Sequence, residues 1–319
     1  MKLKHYQEKV LKALKSYVSS LSEFKAKYDR LWEFDADMAR DYNFPKRAFE
    51  QATGKTIYSS KVNGLGEPLP DIYLKVPTGG GKTLLACHSI DLIQKSFLKK
   101  QTGLALWIVP STQIYRQTIS ALKDREHPYR QILDISSGGR TLIKERTEKF
   151  NRLDVQENLV VLMLMLPSAW RQNRETLRLF RDSDGFTDFF PLEDNFPAQE
   201  NLLKLIPNLD CFTMQSEVFG TQIKTSLGNT LKLLKPLVIV DEGHRAYGER
   251  ARHAIQNFNP SFILELSATP PPNSNKLVEI TGRELHEEEM IKLDIHLINK
   301  SSVNWKDTLL ATLQKQKEL

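Results

Sequence analysis

The chain has 319 residues, 40% hydrophobic and 26% charged, with 45 Lys and Arg against 39 Asp and Glu, a formal net charge of +6. This is enough apolar material for a buried core, which excludes wholesale disorder, and no run reaches the ~18 uncharged apolar residues that a membrane helix needs. Cys87 and Cys211 are too few for a disulfide framework or a cysteine zinc site, and the charged start MKLKHYQEKVLKALKSYV lacks a signal peptide's apolar stretch, so a reduced, cytoplasmic setting is expected.

Residues 3–50 read as helix, with Leu3, Val10, Leu11, Leu14, Val18 and Leu21 near the 3.6-residue period. SSKVNGLGEPLP, residues 59–70, carries the Gly and Pro punctuation of a loop. Five apolar, β-rich runs follow: IYLKV (72–76), LALWIV (104–109), LVVLMLM (159–165), LVIV (237–240) and FILEL (262–266). Amphipathic stretches at 83–100 and 112–125 can hold helices between them. Buried runs alternating with helices predict an α/β fold with a mostly parallel sheet covered on both faces. Residues 167–235 are long for one crossover and must hold extra structure. Residues 86–152 carry 12 basic and 6 acidic side chains, whereas 182–210 carry 7 acidic and 1 basic. That asymmetry suits a polyanion track on one face; two ordinary solvated surfaces explain it as well, and charge alone favours them.

Several strands run into polar motifs, at the sheet end where open α/β sheets bind ligands. The first is VPTGGGKT, Val76–Thr83. Gly79, Gly80 and Gly81 let backbone amides wrap a phosphate, Lys82 would hold the β- and γ-phosphates, and Thr83 would ligate Mg²⁺. The general pattern places glycine at position 76, where this chain has valine. A glycine-rich turn with an incidental lysine is the bland alternative, which the flanking strand and helix disfavour. The second motif is LVIVDEGH, Leu237–His244. Two carboxylates ending an apolar strand need compensation, because unpaired buried charge is costly. Asp241 would hold the magnesium ion and Glu242 would deprotonate the attacking water; His244 would relay to the next motif or be merely structural. The third is LELSATP, Leu264–Pro270, where Ser267 and Thr269 offer small hydroxyls beside Ala268.

PTGGGKT, DEGH and SATP, in this order and spacing, resemble motifs I, II and III of superfamily-two helicases and translocases. Together with HYQEKV near the start, WIVPSTQIYRQT after the second strand and EEMIKLDIHLI…NWKDTL at the end, the chain is most similar to the Res subunit of type III restriction–modification enzymes. The resemblance implies a RecA-like P-loop NTPase domain using ATP and Mg²⁺. Pro77, Thr78, Gly79, Gly80, Gly81, Lys82 and Thr83 would contact the nucleotide, and Gln7 would read the adenine edge. Pro110, Ser111, Gln113 and Arg116 would touch the backbone of a DNA strand, with Ser137, Gly138, Gly139 and Arg140 a further contact or a plain turn. The acidic run His286–Glu289 reads as a solvated face.

The expected division is an N-terminal helical segment (1–58), the RecA-like domain (59–285, insertion about 167–235) and a connector (286–319). Motors of this kind use two such domains, the second supplying an arginine that stabilises the transferring phosphoryl group. Only about fifty residues follow SATP, so a fragment, a truncated gene or a split protein completed in trans is expected. Partners implied by the resemblance are duplex or single-stranded DNA, a second RecA-like domain, and a DNA methyltransferase (Mod) subunit, with no membrane. A non-hydrolysing, ATP-responsive DNA- or protein-binding module is the alternative; a P-loop ATPase unrelated to nucleic acid fits poorly.

Overall fold

The computed structural model describes residues 2–165, 185–212, 222–242 and 249–290. The N-terminal segment folds as α1 (His5–Phe34), α2 (Ala36–Arg40) and α3 (Phe44–Thr53). The continuous helix expected over 3–50 is therefore interrupted twice, and the cause is local. Asp35 has an extended backbone, and its carboxylate accepts from the amides of Asp37 and Met38 at 2.9 and 3.2 Å, starting a new helix. Asn43 caps α3 with Pro45 in its first turn, and Gly54 ends it in the left-handed region. α1 lays Val10, Leu14, Tyr17, Val18 and Leu21 into the core.

The remaining elements in chain order are β1 (Asp71–Lys75), α4 (Lys82–Ile93) continued by a π-turn, β2 (Gly103–Val109), α5 (Thr112–Lys123), α6 (Pro128–Ser137), β3 (Thr141–Glu145), α7 (Arg152–Glu157) and β4 (Leu159–Met165). Then come α8 (Phe196–Leu205), α9 (Leu227–Leu234), β5 (Leu237–Asp241), α10 (Glu249–Asn257), β6 (Phe262–Ser267), β7 (Lys276–Glu279) and α11 (Gly282–Glu287). All seven strands pair in parallel, in the order β3-β4-β2-β5-β6-β1-β7. The α/β architecture with helices on both faces is as expected. β3 and β7 were not anticipated. They are the two edges of the sheet, and their half-polar sequences TLIKE and KLVE carry no buried-run signal.

Alternation along the strands divides the apolar residues between two cores. Trp107, Ile239 and Leu264 face α1 and α4; Leu106, Val238 and Ile263 face the other side. The described part of 167–235 supplies Phe186, Phe189 and Leu209 to the second core, alongside Leu227 and Leu231 of α9, which leads directly into β5. Among the described residues, no helix is long and apolar enough to cross a membrane.

Candidate nucleotide-binding site

β5, β6 and β1, the strands that carry the three motifs, lie side by side, so their carboxyl ends open onto one place. The register aligns Asp241 with Leu266 and Lys75 with Ser267. The chain then turns through Val76–Gly81 to start α4. Gly79 and Gly81 have φ of 85° and 73°, where a side chain would strain the backbone. Gly80 is closed in differently: a Cβ there would lie 2.6 Å from Val76 Cγ1 and 3.1 Å from the Pro77 carbonyl. Val76, the departure from the general glycine pattern, is fully buried, and its amide donates to the Ser267 carbonyl at 3.0 Å. The backbone at position 76 thus ties the loop to the strand of the third motif.

Lys82 reaches back across the loop, donating to the Pro77 carbonyl at 3.2 Å and pairing with Glu242 Oε1 at 2.6 Å. Thr83 Oγ1 lies 3.5 Å from Asp241 Oδ2. Asp241 is 3% exposed, and burial pushes its carboxyl up to about 6, with Lys82 opposing and Glu242 adding to the rise. Glu242 has a φ of 55°, uncommon for a residue with a side chain, and its amide donates to the Leu266 carbonyl at 2.9 Å. Such backbone outliers persist where the surroundings hold them, and they cluster at functional sites.

The start of α1 packs on the loop. Tyr6 Oη donates to the Gly80 carbonyl at 3.1 Å, and Gln7 Nε2 approaches the same carbonyl at 3.5 Å. Gln7 is 2% exposed; its Oε1 accepts from the Lys4 amide at 3.0 Å, and a Cβ on Gly81 would lie 2.7 Å from its Nε2. In this state the Gln7 amide is engaged within the protein. From the other side, Leu285 and Met290 approach Gly80 and Gly79. Glu288 corrects the reading of 286–289 as a purely solvated face: it accepts from the His5 amide at 3.0 Å and pairs with Lys4, while Glu284 pairs with Lys9. Sequence reasoning missed Tyr6 and Glu288. Tyr6 had a signal, its adjacency to Gln7; Glu288 had none that set it apart from its acidic neighbours.

The structure thus brings together Gln7, Gly79, Gly80, Gly81, Lys82, Thr83, Asp241 and Glu242, with Ser267 buried alongside. Pro77 and Ala268 are half-buried and Thr78 and Thr269 exposed; the Thr269 amide donates to Ser267 Oγ at 3.1 Å. His244 lies outside the described residues. The second group sits after β2, the neighbour of β5: Ser111 caps α5 by accepting from the Ile114 amide at 3.3 Å, Pro110 is half-buried, and Gln113 and Arg116 are exposed. Residues 137–140 form the turn that ends α6, with Gly138 and Gly139 left-handed and the Gly139 amide donating to the Asp134 carbonyl.

This residue set fits a magnesium nucleoside triphosphate. The loop leaves a side-chain-free cradle at a helix start, with a lysine across it, and a buried carboxylate stands beside a threonine hydroxyl.

Comparison with known proteins gives the family of the chain. The family model for the type III restriction enzyme, res subunit, matches residues 1–272. No curated protein matches the chain. Among solved structures, a nuclease-deletion mutant of the Type ISP restriction-modification enzyme LlaGI, in complex with a DNA substrate mimic, is 13% identical with a TM-score of 0.36, covering 69% of this chain and 19% of its own. T4 UvsW is 14% identical with a TM-score of 0.30, covering 72% and 35%; a second structure, the UvsW helicase from bacteriophage T4, is 14% identical with a TM-score of 0.28, covering 76% and 64%. The chain thus spans less than two thirds of each of these proteins. With the family match extending over most of its length, the chain belongs to the type III restriction enzyme res subunit family.

Proposed function

We propose that the chain is the ATP-binding half of an ATP-dependent DNA translocase or helicase. One observation carries this reading: Lys82, Thr83, Asp241 and Glu242 converge on a glycine cradle at adjacent strand ends. Lys82 would turn from Glu242 toward the phosphates, leaving Glu242 to take a proton from the attacking water. Thr83 and Asp241 would hold magnesium, which when bound neutralises phosphate charge. Gln7 would have to give up its bond to Gly80 to read adenine. Ser267, Ala268 and Thr269 would couple the site to movement, with His244 relaying between motifs. Pro110, Ser111, Gln113 and Arg116 would position a DNA strand, duplex or single, without reading its sequence.

Under this reading, 1–58, 59–285 and 286–319 are the helical segment, the RecA-like domain and the connector. A second RecA-like domain, in the same chain or in trans, would complete the cleft; the family likeness supports a methyltransferase (Mod) subunit as partner and a cytoplasmic location.

A second reading, a non-hydrolysing module that responds to ATP, is favoured by the Lys82–Glu242 pair, which occupies the base. Steady-state ATP hydrolysis, with and without duplex DNA and with Lys82→Ala as blank, separates the two. DNA-stimulated turnover that Glu242→Gln abolishes supports the motor. Nucleotide binding without turnover, even when the second domain is supplied, supports the module.

A further inference from the structure

The first turn of α1 and the segment around α11 close on the phosphate loop together, and one carboxylate joins them. A helix start leaves its first N–H groups without partners inside the helix. Lys4, at the cap position of α1, has no acceptor in its side chain, so these amides are met from elsewhere. The Lys4 amide donates to Gln7 Oε1 at 3.0 Å, and the His5 amide donates to Glu288 Oε1 at 3.0 Å. Glu288 is itself fixed in place. Lys4 Nζ donates to its carbonyl at 3.1 Å, and the buried Leu285, one turn earlier, lies 3.5 Å from where a Cβ on Gly80 would stand.

Adenine reading by Gln7, on which this inference rests, draws on the same bonds. Reading the base takes both ends of a glutamine amide, the oxygen accepting from adenine N6 and the nitrogen donating to N7. In this structure both ends are engaged: Oε1 with the Lys4 amide, Nε2 with Tyr6 Oη and the Gly80 carbonyl. When Gln7 turns to the base it drops the Lys4 amide, and α1 loses an acceptor at its start. Among the described residues, the other side-chain acceptor bonded to that start is Glu288. We propose that Glu288 is a positioning residue for adenine recognition: its carboxylate holds the first turn of α1 by the His5 amide while Gln7 exchanges its internal partners for the base.

The bond singles out Glu288 from its acidic neighbours. Glu284 pairs with Lys9 at 2.7 Å and Glu287 with Arg283 at 2.9 Å, neither through an amide of the first turn. Exposed ion pairs of that kind contribute little, whereas a lost acceptor at a helix start loosens the turn it caps. Gln7 lies in that turn, two positions after His5. With the His5 amide held, Gln7 changes partners from a fixed backbone. Without it, the turn frays and must be ordered again whenever a base arrives. The loss falls on the base, because the glycine loop and Lys82 hold the phosphates.

The test is titration calorimetry of the full chain with magnesium ATP and, separately, magnesium inosine triphosphate, which has the same ribose and phosphates but a carbonyl where adenine has its amino group. Wild type is expected to prefer ATP by about tenfold or more. Glu288→Ala should narrow that preference by about threefold or more. Glu288→Gln loses the same charge but keeps an acceptor for the His5 amide, so it should retain the preference. Taking the ratio of the two affinities cancels the effect of the lost charge on the phosphates. A preference unchanged in Glu288→Ala, or narrowed as much in Glu288→Gln, overturns the proposal. So does an equal loss of both nucleotides, which a merely structural contact would give. Wild type that binds both nucleotides equally brings down the Gln7 reading and this proposal with it; wild type that binds neither brings down the nucleotide site itself.

Discussion

The loops after β1 and β2 leave the same end of the sheet, yet one is crowded with internal partners and the other is nearly bare. Around the first, Tyr6, Gln7, Val76, Ser267 and Glu242 each bond to or press on the P-loop or its lysine. After the second, Ser111 caps its own helix, while Arg116 is exposed and has no hydrogen-bond or ion-pair partner among the described residues. The phosphate cradle is therefore shaped by the protein before any ligand arrives, so substitutions there should disturb folding as well as binding. At the α5 start Arg116 is exposed, so under the proposed DNA role its loss should cost polyanion affinity and little stability.

The largest expected effect that sharpens this contrast is Lys82→Ala. It removes a charge-assisted phosphate contact of about 1.5–3 kcal/mol, so nucleotide affinity should fall roughly 10–100-fold or more. Unchanged affinity in a fluorescent-nucleotide titration would remove the P-loop assignment. Gly80→Ala comes next: the added methyl meets Val76 at 2.6 Å, and overpacking of this kind costs about 1–3 kcal/mol. A clear drop in Tm should accompany weaker nucleotide binding, and an unshifted Tm would mean that the loop is not closed in as described.

Tyr6→Phe deletes one hydrogen bond to the Gly80 carbonyl, worth about 0.5–1.5 kcal/mol. Urea denaturation should show that loss; a stability equal to wild type would release α1 from its role in shaping the loop. Arg116→Ala is the smallest effect and the opposite in kind. Tm should stay put while the salt dependence of duplex DNA binding loses about one counterion. A fall in Tm with an unaltered salt slope would reverse the comparison between the two loops.

The same contrast explains what could be read in the sequence. The five inner strands are mostly apolar runs, legible because nearly all of their residues are buried. β3 and β7 are edges with half their residues exposed or partly so, and their sequences do not differ from those of ordinary loops. The glycines with Lys82, and the two acids, were legible because each motif is local to its own strand end. The contact between Tyr6 and Gly80 was not, since it joins residues 74 apart in the chain.

The central claim is that the glycine cradle takes a magnesium nucleotide, and equilibrium binding of ATP to the full chain tests it most directly. Calorimetry with and without Mg²⁺, with Lys82→Ala in parallel, should show one saturable site that strengthens with the metal and is lost in the variant. Absence of saturable binding to the wild-type chain, or equal binding by Lys82→Ala, would contradict the account.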